Sequence, residues 1–231
     1  MIPHDNMMNY FYSKLFPDTS YKYVPSGTSD KIVNMNIDEL VNFHKKFYHP
    51  ANAQAFCYGP DKYVKNCLSG LQAYLDSFSG EKQSIREASE VAWQDMKAIT
   101  TQNERIPYAA LTENQDFRIA ISWVLNDEPM DARTEVAWLL LEELLIGTRT
   151  SLVSKVVHDL NLGDDIVGGL DHSVQQWLLT LGVNGIASDD DAVTAREAIT
   201  DKLLSIVENG INDGALQAAI NRVEHRVRHK D

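Results

Sequence analysis

Hydrophobic positions recur along this chain at two spacings, one helical and one strand-like, in blocks set apart by polar punctuation. Residues 5 to 16 gather Met7, Met8, Tyr10, Phe11, Leu15 and Phe16 and stop at Pro17, which predicts a short helix followed by a polar loop through Tyr23, Pro25 and Gly27. At Asn36 a helix opens on a capping signal, with Glu39 three residues on as the reciprocal partner of a capping box. Ile37, Leu40, Val41, His44, Phe47 and Tyr48 share one face, and Pro50 enforces the stop. Ala53 to Tyr58, short, apolar and closed by Gly59-Pro60, is expected to be a buried strand. A second helix is expected from about Pro60 to Ser77, with Val64, Cys67, Leu68, Leu71, Leu75 and Phe78 on its inward stripe.

Residues 79 to 90 are polar and unpatterned, which makes them the candidate boundary between two domains, residues 1–88 and 89–231. Val91 to Thr101 and Phe117 to Leu125 are expected to be strands. In the second, Phe117, Ile119, Ile121, Trp123 and Leu125 alternate with Arg118, Ala120 and Ser122, the mark of a sheet with two different faces. Pro129 and Asp131 open a helix from Ala132 to Ile146 whose apolar residues run nearly all round, so deep burial is expected up to Gly147. A short helix over Ser151 to Leu160, strands near Asp165 to Leu170 and Val174 to Ile186, a helix capped by Ser188 through Glu208 and one capped by Asn212 to about His229 complete the chain. The blocks do not follow strict βαβ order. They predict an α+β fold of two layers, a mainly antiparallel sheet packed with helices.

Composition supports a packed protein: 231 residues are 44% hydrophobic, with 12 Gly and 7 Pro. The longest apolar run, Val136 to Leu141, ends at Glu142 and Glu143, far short of the ~20 residues of a membrane span, so no membrane partner is expected. With 21 Lys+Arg against 33 Asp+Glu the net charge is −12, which argues against a nucleic-acid partner and is compatible with cationic ligands. The N-terminal residues lack the basic and apolar pattern of a targeting signal. Cys57 and Cys67, ten apart with no second pair, predict neither a zinc ribbon nor a redox pair nor a disulfide framework, and Cys67 is expected to be a small core residue.

The chemistry-bearing motifs are few. There is no Gly-x-Ser-x-Gly elbow, phosphate loop or dinucleotide fingerprint, and Gly163, Gly168 and Gly169 fit turn and strand positions instead. His225 and His229, at i and i+4, could share a zinc ion with Glu224 or Glu208; Arg222, Arg226, Arg228 and Lys230 around them oppose a cation, and structural use is preferred. Asp189, Asp190 and Asp191 follow a Ser cap, where acids match the helix dipole without any bound ion. His44 and His49 point to different helical faces, and His44 is assigned to a core edge. Trp93, Trp123, Trp138 and Trp177, spread one per element, fit core or sheet-face positions.

One stretch carries a resemblance. Asn36 to Gly59, with Phe47-Tyr48-His49-Pro50-Ala51-Asn52 at its centre, resembles a segment of the pitrilysin-type zinc metallopeptidases, in the variant of the presequence protease subgroup. Further stretches fit in order: Val24 to Gly27; Leu144 to Val157 with Gly147-Thr148 and Ser151-Leu152; Leu162-Gly163 to Gly185; and the helix over Asn212 to Arg228.

The resemblance implies an ATP-independent zinc metalloendopeptidase that degrades short unfolded peptides, such as cleaved targeting presequences, inside a closed chamber. It implies an inverted His-x-x-Glu-His motif that holds zinc and supplies a general base. That motif does not occur in this chain, and the alignment places it and its distal glutamate upstream of Met1. No catalytic, cofactor-binding or metal-ligating residue is therefore expected among residues 1–231, and the isolated chain is expected to be inactive. Residues 1–88 would be the C-terminal part of a first peptidase-like domain and 89–231 the N-terminal part of a second. The implied partners are peptide substrates and the remainder of the same polypeptide, and the implied compartment is the mitochondrial matrix or plastid stroma. A second reading is a non-catalytic relative that acts as a scaffold or peptide-binding subunit.

Overall fold

A computed structural model describes residues 3–78, 82–100, 103–107 and 117–229. Its helices are Pro3–Leu15 (α1), Ser29–Ile32 (α2), Ile37–Phe47 (α3), Asp61–Leu75 (α4) and Lys82–Glu87 (α5), followed by the strand Phe117–Val124 (β1). Then come Ala132–Ile146 (α6), Leu152–Asp159 (α7), the strands Asp165–Asp171 (β2) and Leu178–Ile186 (β3), Asp189–Asn209 (α8) and Asp213–Arg228 (α9). The chain divides into two compact units, Met1–Lys22 with Trp93–Asp231, and Tyr23–Ala92.

The first unit is built on an antiparallel sheet of order β1-β3-β2. Register sets its two faces: Ile119, Ile121 and Trp123 lie opposite Val183, Leu181 and Leu179, while Ala120 and Ser122 lie opposite Gly182 and Thr180. The first set packs against the fully or nearly buried Leu145, Val153, Val157, Ala195 and Ile199 of α6, α7 and α8. Burial of the Leu, Val and Ile side chains among them contributes ~1.5–3 kcal/mol each, so this layer is the stabilising core. The second face carries small and polar groups at its centre, where Ser122 Oγ and Thr180 Oγ1 lie 2.8 Å apart, and the apolar pair Val124 and Leu178 at one end. This is the α+β, mainly antiparallel, helix-packed architecture that the alternation in residues 117–125 predicts. Gly168 is required where β2 meets β3: its φ is +110° and a Cβ would lie 2.2 Å from the Thr180 carbonyl oxygen.

The caps form where the sequence places them. Asp131 accepts from Thr134 N at 2.7 Å, Ser188 from Asp191 N at 3.1 Å, and Asn212 from Gly214 N at 2.9 Å. Two expectations fail in this unit. Helix α6 has the expected limits, but only Glu143, Leu144 and Leu145 are buried and Val136 is 49% exposed, because α7, α9 and β2 pack on the helix without enclosing it. Residues 91–100 form no strand; Met96–Ala98 is a 3-10 turn, and the extended backbone at Gln94 is paired by side chains.

In the second unit, α3 is capped by Asn36, whose side chain accepts from Asp38 N at 2.9 Å, and the chain turns at Pro50–Asn52. None of the side chains described in Tyr23–Ala92 is buried. The stripes that the helical spacing predicts do form, but they remain open: Ile37 is 67% exposed and Leu68 50%. Residues 53–58 are not the expected buried strand. No strand pairs with them among the described residues, and Phe56 and Tyr58 stand 91% and 93% exposed. A strand needs a neighbour for its backbone groups, and without one an apolar sequence does not make a strand.

Candidate functional site

Among the described residues, the buried polar side chains hold elements together. Glu143, on the inner side of α6, is 6% exposed. Its carboxylate accepts from Arg222 Nε at 2.6 Å and faces Arg226 Nη1 at 3.4 Å, which ties α9 to α6. Its backbone carbonyl accepts from Ser151 Oγ at 3.0 Å, and the same hydroxyl accepts from Thr148 N at 2.9 Å, closing the corner between α6 and α7. The neighbouring Glu142 reaches the sheet, accepting from Leu170 N at 2.8 Å. Two adjacent glutamates on an apolar helix thus anchor a second helix and a strand end.

A second network lies where residues 94, 126 and 176 meet. Gln176, fully buried, accepts from Gln94 N at 2.6 Å and donates to Gln94 O at 3.2 Å and Asn126 O at 3.1 Å. Gln94 in turn donates to Asp18 Oδ2 at 2.8 Å, and Asn126 accepts from Trp177 N at 2.8 Å. A third contact fixes α1: Tyr12 donates to Asp171 Oδ2 at 2.7 Å. Burial pulls the Asp171 carboxyl upward, but hydrogen bonds from Ser173 and Tyr12 outweigh it and hold the group below the usual carboxylate range. Burial and the Asp171 partner push the Tyr12 hydroxyl well above its ordinary value. Sequence patterns did not single out these amides and acids. The available signal was their placement: Glu142 and Glu143 interrupt an apolar run, and Gln176 adjoins an apolar strand.

The motifs weighed in the sequence are not brought together. The rings of His225 and His229 meet at a tilt at the C-terminal end of α9, 4.4 Å between centroids, while Glu224 pairs with Arg228 and Glu208 lies on the exposed end of α8. Asp189 pairs with Arg105 at 2.5 Å and Asp191 with the Ser188 cap at 2.7 Å, so these acids diverge. His44 stacks on Tyr48, and His49 Nδ1 accepts from Ala51 N at 3.1 Å. His44 is exposed, which corrects its assignment to a core edge. Trp123 and Trp138 pack on the core and Trp177 lies against His172, whereas Trp93 is 37% exposed. Among the described residues no three His, Cys, Asp or Glu side chains are placed to hold a metal ion. The cysteines do meet: Cys57 Sγ lies 3.4 Å from Cys67 Sγ, and Cys67 is exposed, not in a core.

A cleft of about 380 Å³ at the α6–α7 corner is lined by Thr148, Arg149, His158, Gly163, Asp164 and Asp165. It mixes both signs of charge, and Ser151 beside it is engaged by the helix corner. The arrangement supports packing of helices on a sheet and supplies no assembled nucleophile and base among the described residues.

Comparison with known families decides the identity of this architecture: the peptidase M16 inactive domain matches residues 34–223. The chain belongs to this family. Among curated relatives of this M16 domain, presequence protease 1, chloroplastic/mitochondrial, of Arabidopsis thaliana is 28% identical over 220 residues, covering 94% of this chain and 20% of that protein. Protein HypA of Clostridium perfringens is 28% identical over 221 residues, covering 94% and 22%. The mitochondrial presequence protease of Mus musculus is 25% identical over 220 residues, covering 94% and 21%. The chain thus spans about a fifth of the length of the curated relatives it matches. Two solved structures share the M16 fold. An M16-like peptidase from Alicyclobacillus acidocaldarius has a TM-score of 0.62 at 17% identity, covering 97% of this chain and 51% of that one. A protease from Helicobacter pylori has a TM-score of 0.58 at 14% identity, covering 98% and 57%.

Proposed function

We propose that this chain is a non-catalytic part of an ATP-independent M16 zinc metalloendopeptidase that degrades short unfolded peptides, among them cleaved targeting presequences. The observation that carries this reading is the match of residues 34–223 to the inactive domain of the family, together with relatives that are themselves named presequence proteases. On this reading residues 1–88 and 89–231 are parts of two successive peptidase-like domains. The partners are peptide substrates and the remainder of the same polypeptide, with no nucleic acid and no membrane. Among the described residues no helix is long and apolar enough to cross a bilayer. The compartment is a mitochondrial matrix or plastid stroma.

Among the described residues the donors do not fit a catalytic zinc. His225 and His229 sit beside Glu224, but Arg228 occupies that carboxylate, and Arg222 and Arg226 extend from the same helix. On this reading zinc and the general base are supplied by the remainder of the polypeptide, and no catalytic, cofactor-binding or metal-ligating role is assigned to residues 1–231. The reading is tested by metal analysis and by a fluorogenic peptide assay on the purified chain. The expected result is sub-stoichiometric zinc and no turnover. One equivalent of zinc with chelator-sensitive cleavage overturns it.

A further inference from the structure

Cys57 and Cys67 are ten residues apart, a spacing that suggests no pairing, yet the fold of Tyr23–Ala92 brings their sulfur atoms to 3.4 Å. A disulfide requires ~2.05 Å, so about 1.4 Å of closure separates two thiols from a bond. The two sides are unequally held. Cys67 lies within the hydrogen-bonded helix α4, whereas Cys57 lies in residues 53–58, which belong to no helix or strand. The required movement falls on the segment with no ladder to break. Cys67 is exposed and Cys57 half-buried, so an oxidant in solution reaches the pair.

We propose that Cys57 and Cys67 form a redox latch, closing to an intramolecular disulfide when a low-molecular-weight disulfide such as oxidised glutathione is the oxidant. The exposed Cys67 thiol loses its proton to solvent and attacks one sulfur of the small disulfide, forming a mixed disulfide and releasing one glutathione thiolate, which takes up a proton. Cys57 then loses its proton and attacks the Cys67 sulfur. The protein S–S bond forms, the second glutathione leaves as a thiol, and two electrons have passed from the cysteine pair to the oxidant. The order follows from exposure: Cys67 is exposed and Cys57 half-buried, so the Cys67 thiol meets the oxidant first.

The consequence is local and mechanical. Phe56 and Tyr58 flank Cys57 and are almost wholly exposed, so oxidation tethers to α4 the backbone that carries two large apolar side chains, and reduction releases it. The bond closes a short loop containing Lys62 and Lys65.

The test incubates the purified chain with oxidised glutathione at neutral pH, blocks remaining thiols by alkylation, and measures intact mass, free thiols and linked peptides. The expected result is joint loss of both thiols, a mass lower by two hydrogens, a Cys57 peptide joined to a Cys67 peptide, and full reversal by dithiothreitol. The variants C57S and C67S, each lacking one partner, are expected to retain one bound glutathione. A wild-type chain that carries two glutathiones, that dimerises through its cysteines, or that keeps both thiols free while the single variants react, overturns the proposal.

Discussion

The carboxamide of Gln176 holds both backbone polar groups of Gln94, accepting from its N–H at 2.6 Å and donating to its C=O at 3.2 Å. One buried side chain therefore does for residue 94 what a neighbouring strand does along a ladder. It explains how residues 91–100 lie extended in part without forming a strand, since the peptide at the most buried point is already satisfied.

That relationship sets the cost of removing it. Gln176→Met keeps the volume but leaves Gln94 N, Gln94 O and Asn126 O without their partner in a fully buried place. We expect a loss of ~2–4 kcal/mol, since each buried unsatisfied group costs ~1–3 kcal/mol and relaxation recovers part. Urea unfolding followed by tryptophan fluorescence measures it. A loss within the ~0.5 kcal/mol of an ordinary surface change would show that water replaces the amide.

Glu143 makes a second prediction. Replacing it by Met leaves Arg222 and Arg226 without their shared carboxylate, but both guanidinium groups are about half-exposed and water compensates them. We therefore expect ~2 kcal/mol, below the ~3–5 kcal/mol for breaking a fully buried pair. Arg222→Met should cost less, about 1 kcal/mol, because Arg226 stays on the buried acid. If the arginine variant proves the more damaging, α9 is held chiefly by packing of the arginine stem and not by the charge pair.

Asp171 makes stability depend on acid. Its carboxyl is held below the usual range in the folded chain, so the folded state binds a proton less readily than the unfolded state, where the group titrates near ~3.9. The stabilisation is complete above that value and is lost as pH falls through the lower folded value. Tyr12→Phe removes one of the hydrogen bonds responsible, and we expect it to lower stability at pH 7 by ~1–2 kcal/mol and to shrink the acid-dependent loss. Unfolding midpoints taken from pH 7 down to pH 3 for both proteins check this. Parallel curves would place the acid sensitivity elsewhere.

What could be read in the sequence, and what could not, follows from where the information lies. Caps at Asn36, Asp131, Ser188 and Asn212 are local, and all four form. The alternation in Ile119, Ile121 and Trp123 against Ala120 and Ser122 is also local and yields a sheet with one apolar face. The segment 53–58 has the composition of a strand, but strand formation depends on a partner elsewhere in space, and none is present among the described residues. The pairings Gln94 with Gln176 and Cys57 with Cys67 are likewise invisible to spacing, because the fold and not the sequence distance brings them together. The family resemblance in residues 36–59 succeeded for a different reason: it recognises a whole segment, including features whose physical role a single chain does not reveal.

The charge of the chain supports a last prediction about ligands. With 33 acidic and 21 basic side chains, the surface attracts polycations, and targeting presequences are basic. If this domain contributes an acidic wall to a peptide chamber, a basic presequence-like peptide should bind the purified chain at ~0.1 M salt, where charges act over ~10 Å, and lose that affinity at ~1 M, where the reach is ~3 Å. A peptide of the same length with its Arg and Lys replaced by Gln should bind weakly at both. Fluorescence anisotropy with the two labelled peptides distinguishes the cases. Affinity for the basic peptide that is unchanged by salt, or equal for the neutral one, means that recognition rests on exposed apolar side chains such as Phe56 and Tyr58 and not on charge.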